Sequence, residues 1–424
     1  MFLFQELKWR NLIKDFSDEK QIELLLNQDK IRFYVGFDLT ANSLTIGHLV
    51  QIITILLLQK KGHIPFILIG RATSLIGDPK ETEERCLLKH EDIQKSLIEI
   101  KSQFTKIFLK NKVTFVDNYD WISKINLIDF LRDYGKHFNV NYMISKDKIA
   151  KRLDKGISYT EFSYMILQAL DFYYLYKNHN IILQLGGSDQ WGNITSGLEL
   201  IRKKLNIKTN NKHEQQKPLG MSLSLLLDSK GFKIGKSEKN AVWLDEKSTT
   251  PYQIYQFFFN VDDHNVINYL KMLTLLEVEQ ILELENQVKI YPHKRLAQQE
   301  LAKQVVSFVH GQEKFEECYR VNNILFRSEL NNIKKEDFIL LKKNLATLNV
   351  NEKISLVDAL VQIQIADSKK QAKRLILSKA IKINNKSIQE IDYILTPDKC
   401  LFFKYILLTK KDKFHALIIF SLNN

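Results

Sequence analysis

Short apolar runs and helical periods alternate through the first half of the chain. Ile31–Phe37 (IRFYVGF), Ile64–Gly70 (IPFILIG), Val113–Val116 and Ile181–Leu185 (IILQL) each read as a strand bounded by glycine or polar residues. Helical patterns separate them, beginning with Gly47–Lys60. That alternation predicts βαβ units, an α/β fold and a parallel sheet. Ligands on such sheets bind beyond the carboxyl ends of the strands. Here those ends read YVGFD, LIGRATS and QLGGSDQ, each joining glycine to small polar or acidic groups.

The pattern changes near Lys217. Leu225–Asp228 and Phe232–Ile234 flank Ser229-Lys230-Gly231 and predict a hairpin or loop. Residues 250–320 read as helical, with Tyr291–Val309 the clearest amphipathic stretch. Residues 321–350 are rich in lysine and asparagine and include a linker, placed at 326–350. From about Ile354 the chain starts helical and ends in β-like runs (AIKINNKSI, CLFFKYILL, FHALIIF), a small α+β module over 351–424. The expected division is therefore 1–220, 221–325, a linker and the terminal module.

Composition narrows the class. With 424 residues, 45% apolar and 26% charged, the chain can bury several cores without a metal or disulfide staple. Cys86, Cys318 and Cys400 lie far apart and form no CxxC, against a zinc or disulfide framework. The start, MFLFQELKWRNLIKDFSDEK, lacks the apolar core of a signal peptide, and apolar runs such as Ile52–Leu58 fall far short of the roughly twenty residues that span a bilayer. A soluble, cytoplasmic protein without a membrane partner is expected. The net charge of +13 favours a polyanionic partner, or is an even coating of lysine. It is uneven: residues 331–424 carry 17 Lys and Arg against 9 Asp and Glu, a net of +8.

Four constellations carry the candidate chemistry. Gly36 to His48 (GFDLTANSLTIGH) runs from a strand end into a helix N-terminus, where unpaired N–H groups and a partial positive charge suit phosphates. A plain βα loop would look the same. Lys233-Ile234-Gly235-Lys236-Ser237 sets two lysines around a glycine, either a loop that closes on phosphates or a solvated loop. It is not a P-loop, since the first glycine of that motif would fall at Lys230. Ser158 and Glu161 fit a capping box, and Tyr164, Gln168 and Asp171 then share one helix face, lining a pocket or facing solvent. Gln184 to Asn193 (QLGGSDQWGN) ends a strand in two glycines and delivers Asp189 as an acid for a ribose hydroxyl.

In this order the motifs resemble a class I aminoacyl-tRNA synthetase, closely the bacterial-type tyrosyl-tRNA synthetase family. TIGH (Thr45–His48) resembles the HIGH motif and Lys233–Ser237 the KMSKS loop. YVGFD, LIGDP, FSYMILQALD and QLGGSDQWGNI resemble the family's tyrosine and adenylate pocket. Ser368–Ser387 resembles part of an S4-type RNA-binding domain. The resemblance runs from about Tyr34 to the tail. It implies a Rossmann-like catalytic domain, a helical tRNA-binding domain, an S4-like tail and a homodimer.

The resemblance also implies roles. Tyr34 and Asp171 read the phenolic hydroxyl of tyrosine; Thr73, Asp78, Tyr164 and Gln168 hold its ammonium, and Gln190 the region of its carboxylate. Gly36, Asp38, Gly187 and Asp189 line the adenosine and ribose, with Gly47 admitting the nucleotide close to the backbone. Thr40, Thr45, His48, Lys233, Lys236 and Ser237 serve the phosphates. Lys369, Lys370, Lys373, Arg374 and Lys379 face RNA. ATP is a substrate, carrying Mg²⁺ without a dedicated protein metal site. The implied activity is ligation of L-tyrosine to tRNA(Tyr) through tyrosyl-adenylate. Rejection of phenylalanine by about 10⁵ without editing is a figure taken over from that family. Tryptophanyl or other HIGH-type enzymes, and a non-catalytic RNA-binding relative, are the alternatives; the Tyr34/Asp171 pair and the tail argue against the first two.

The departures are specific. Thr45 stands where the motif's first histidine is usual, Leu39 replaces a proline and Val35 a polar neighbour of the ribose. The loop KETEER after Pro79 is a residue shorter and more acidic than usual.

Overall fold

A computed structural model describes residues 1–80, 83–109, 112–205, 216–234, 241–327, 333–411 and 414–421, with only the backbone of Asp147 and Lys148. It divides into two compact units, Met1–Ser248 with Asp262–Ala297, and Thr249–Val261 with Gln298–Asn424.

The first unit is built on a six-stranded sheet. Its strands are β1 (Ile13–Phe16), β2 (Arg32–Asp38), β3 (Ile64–Gly70), β4 (Thr114–Asp117), β5 (Leu183–Gly187) and β6 (Leu219–Leu223), in the order β1-β6-β5-β2-β3-β4. All neighbours are parallel except β1, which runs antiparallel to β6. The four strands read from apolar runs are β2 to β5. The two others carry weaker signals: β1 is a four-residue edge (IKDF) with charge in its centre, and β6 (LGMSL) is buried throughout despite its glycine and serine. Buried parallel strands do not alternate, so β6 shows no period of two.

The connections run from β2 to β3 and β4 on one side and from β5 to β6 on the other. The order therefore reverses between β2 and β5, which opens a crevice at their carboxyl ends. Asp38 ends β2 there, and Gly187 ends β5. The helix Leu49–Lys60 is apolar on nearly every face because it is buried on nearly every face. The helix Tyr159–His179 starts at Ser158, whose hydroxyl accepts the Glu161 N–H. The expected reciprocal half of that capping box does not form, because the Glu161 carboxylate points to the Arg85 N–H and to Arg152.

Residues 225–234 form the expected turn, with a bridge between Leu227 and Lys233. In the helical region the 291–309 stretch is shorter than its pattern. Pro292 opens a short 3-10 turn, Arg295 is left-handed at φ 51°, and the helix runs Leu296–His310. The stretch 326–350 is not all linker either. Asp337–Asn344 is a helix, and Ala346–Val350 is a strand that pairs in parallel with Phe414–Phe420.

The tail completes a five-stranded sheet around a core of Leu356, Leu360, Ala372, Ile376, Ile406 and Ile418. Its helix Lys369–Leu377 buries Ala372 and Ile376 and leaves Lys369, Lys370, Lys373 and Arg374 exposed, as is Lys379 beyond its end. No helix among the described residues is long and apolar enough to cross a membrane.

Candidate active site

The crevice between β2 and β5 opens into a cavity of about 940 Å³. Every sequence-read tyrosine, ATP and catalytic residue among the described ones lines it: Tyr34, Gly36, Asp38, Thr40, Thr45, Gly47, His48, Thr73, Asp78, Tyr164, Gln168, Asp171, Gly187, Asp189, Gln190 and Lys233. Lys236 and Ser237 lie outside the described residues.

One end of the cavity is deeply buried. Tyr34 projects from β2 against Phe172, with ring centroids 5.6 Å apart, and its hydroxyl has no partner. Burial, aided by the charge of Asp171, pushes this phenol well above its ordinary pKa, so it remains a donor. Asp171 comes from the helix face predicted to carry it. Its two oxygens accept hydrogen bonds from Asn118 Nδ2 at 3.0 Å and Trp121 Nε1 at 2.9 Å. Burial nonetheless raises the Asp171 carboxyl to about 8, outweighing both donors. A buried hydroxyl without a partner carries a free-energy cost. A ligand hydroxyl placed between Tyr34 and Asp171 removes that cost.

Asp38 was expected beside the nucleotide, yet its bonds run to residues expected around the ammonium. It accepts from Thr73 Oγ1 at 2.8 Å and from the Tyr164 hydroxyl at 2.7 Å, and burial raises it to about 6. Gly70 permits this approach, because any Cβ there would collide with Asp38 and Thr73. Asp78 accepts from Asn193 Nδ2 at 3.0 Å and Gln190 Nε2 at 3.2 Å, and Asn193 also reaches Gln168 Oε1 at 3.0 Å. Acceptors and carboxylates thus converge where a cationic amine would sit.

The other end carries groups suited to phosphate. His48 opens the helix after β2, and its Nδ1 accepts the Thr45 N–H at 2.9 Å. A neutral ring with Nδ1 accepting holds its proton on Nε2, which is then a donor. Burial first, and Lys233 second, lower this imidazole to about 4, so the donor is uncharged at neutral pH. The Thr45 hydroxyl, 3.0 Å from the same Nδ1, is turned toward the ring. Lys233 pairs with Asp189 at 3.0 Å. Lys80 and Arg85 add two more cations to the wall.

The motifs did not identify Asn118, Trp121, Asn193 or Arg85 as site residues. Asn118 joins three parts of the site: it accepts the Ala72 N–H at 2.7 Å and donates to Thr73 at 3.0 Å as well as to Asp171. Its only sequence signal is an asparagine after a four-residue strand. Asn193 was the easier to find, three residues past Gln190 on the next helix.

A parallel sheet with a switch-point cavity, an amine site and a neutral imidazole facing a cationic wall define an amino-acid-activating enzyme of the class I aminoacyl-tRNA synthetase type. A family model described as "tRNA synthetases class I (W and Y)" matches residues 26–327, and one described as "Tyrosine--tRNA ligase SYY-like C-terminal domain" matches 337–418. The chain is 54% identical to the tyrosine–tRNA ligase of Phytoplasma mali over 99% of this chain and 100% of that one. It is 41% identical to tyrosine–tRNA ligase 1 of Bacillus subtilis over 99% of each. A C-terminally truncated mitochondrial tyrosyl-tRNA synthetase of Aspergillus nidulans superposes with a TM-score of 0.69 at 27% identity, over 77% of this chain and 94% of that one. The chain belongs to the tyrosine–tRNA ligase family.

Because Trp121 and Asn118 are the donors that oppose burial at Asp171, Trp121→Phe should move its titration further above 8. Carboxyl-labelled NMR titration of the ligand-free protein measures this, and an unchanged or lower value would contradict the hydrogen-bond account.

Proposed function

We infer that the chain activates L-tyrosine with ATP to tyrosyl-adenylate and pyrophosphate and then passes tyrosine to the 3′ end of tRNA(Tyr). The observation that carries this reading is the partnerless buried Tyr34 hydroxyl beside the Asp171 carboxyl, whose missing partner is a phenolic hydroxyl. Phenylalanine would leave the Tyr34 hydroxyl buried without a partner, and the site rejects it on that ground.

The roles follow the geometry. Asp78, Gln168 and Tyr164 take the ammonium, with Thr73 and Asp38 holding Tyr164 in place. Gln190 lies beside Asp78, toward the substrate carboxylate. That carboxylate is already ionised, so its attack on the α-phosphate needs no general base. What the protein supplies is alignment and donors for the charge that grows on the phosphates. His48 Nε2, Thr40, Lys233, Lys80 and Arg85 are those donors, joined by Lys236 and Ser237 of the loop. Thr45 acts through His48 rather than on phosphate directly. Asp189 takes the ribose once Lys233 leaves it, with Gly36, Gly47 and Gly187 leaving room for the nucleotide. Mg²⁺ enters as its ATP complex, bound to phosphate oxygens.

The exposed cations of 369–379 hold the tRNA backbone. Seven large apolar side chains of one stretch are exposed, Leu127, Ile128, Leu131, Val140, Tyr142, Leu153 and Tyr159, and we propose that they form the contact of a homodimer. A cytoplasmic location fits a translation enzyme.

Tyrosine-dependent exchange of pyrophosphate into ATP tests the activity. Run with each of the twenty amino acids, it should proceed with tyrosine alone; exchange with another amino acid, or none, would overturn the reading.

His48 allows a sharper check. Its folded pKa of about 4 lies below the ordinary 6.5, so the neutral ring is favoured by folding above pH 6.5 and that stability is lost as pH falls toward 4. His48→Ala should slow exchange about 10²-fold. The ratio of wild-type to variant rates should stay level from pH 6 to 8; a tenfold step near 6.5 would show a charged donor instead.

Lys370→Glu/Lys373→Glu should weaken aminoacylation at least tenfold through the KM for tRNA and flatten its salt dependence. Exchange should be unchanged, and equal loss in both assays would remove the tail from RNA binding.

A further inference from the structure

After Asp78 the chain brings Arg85 to the cavity wall. Its course is set by two charged side chains, each 2% exposed, from outside the loop. Arg152 Nη1 donates to the Lys80 carbonyl at 3.0 Å and to the Glu83 carbonyl at 2.7 Å. Its Nε and Nη2 donate to the Gly156 carbonyl at 3.3 and 3.1 Å, which ties the guanidinium to its own segment. Glu161 lies 3.1 Å from Arg152 and uses its other oxygen to accept the Arg85 N–H at 2.7 Å.

Arg85 is then folded back over Gly77, its Nε donating to the Asp78 carbonyl. Gly77 has φ +84°, and a Cβ there would come within 2.6 Å of Arg85 Cδ. The charge of Arg85 is felt at Asp38, where it favours the ionised form.

A buried ion pair is weak evidence for stability, since its desolvation cost can match its attraction. This pair spends its hydrogen bonds on the backbone of a pocket loop, at both of its ends. We propose that Arg152 and Glu161 are positioning residues for adenylate formation, holding the backbone of Lys80, Glu83 and Arg85 so that Arg85 presents its cation to the phosphates. The inference rests on the phosphate role of Arg85 given above. The Asp78 carboxylate accepts from Asn193 and Gln190, bonds in which the pair takes no part.

Arg152→Lys tests this. Lysine keeps the charge opposite Glu161 but lacks the planar fork that reaches two carbonyls and Gly156 at once. In the full-length protein, kcat for tyrosine-dependent exchange should fall tenfold or more and the KM for ATP should rise. The tyrosine dissociation constant without ATP should stay within about twofold. The same substitution made in Arg85→Ala should cost less than about twofold, because the residue it positions is gone. Equal losses in both backgrounds, wild-type exchange by Arg152→Lys, or loss of tyrosine binding in step with exchange would each overturn the inference. Wild-type exchange by Arg85→Ala alone would instead remove the phosphate role of Arg85, and this inference with it. If Arg152→Lys does not fold, Arg152→Met/Glu161→Leu replaces the pair with apolar groups of similar size and is read by the same cycle.

Discussion

Everything at the amino-acid end of the site depends on the cost of burying carboxyl groups at the foot of a parallel sheet. Asp171 and Asp38 are both removed from water, and burial is the largest influence on each. Such groups persist only where donors have been brought to them. Asn118 and Trp121 serve Asp171; Thr73 and Tyr164 serve Asp38. The Tyr34 hydroxyl remains a buried donor with nothing to meet. Specificity for a phenol is the counterpart of that incomplete set, because completing it is what binding adds.

The phosphate end follows a different logic. His48 is locked as a donor by a backbone N–H on its other nitrogen, and kept neutral by burial. The substitution of threonine at position 45 therefore does not empty the motif. Thr45 instead supports His48, whose Nδ1 accepts its N–H. Lys233 and Asp189 meanwhile pair with each other on the cavity wall.

Much of this was legible along the chain. Four strands of the sheet announce themselves as apolar runs, and the three strand ends that join glycine to small polar or acidic groups all reach the cavity. The helix face of Tyr164, Gln168 and Asp171 follows from 3.6-residue periodicity, and its choice between pocket and solvent was made plain only by the surrounding motifs. The strands β1 and β6 escaped because one is an exposed, charged edge and the other is buried on both faces and so does not alternate. The strand Ala346–Val350 escaped because its partner lies some seventy residues away, at Phe414–Phe420. Pairing of that kind leaves no local pattern.

Local chemistry was thus enough for four strands of the sheet, the terminal α+β module, the residue types of the pocket and, by resemblance of ordered motifs, the family. Those features repeat at short range or sit in contiguous stretches. The tertiary structure alone decided which buried group answers which. Asn118 carries no motif, yet it bonds to Ala72 and Thr73 of one helix and to Asp171 of another, and Arg152 shapes a loop some seventy residues before it. Asp38 was drawn to Tyr164 across 126 residues of chain. A hydrogen bond has a length of about 3 Å and a direction but no sequence separation, so only the folded chain could assign these partners.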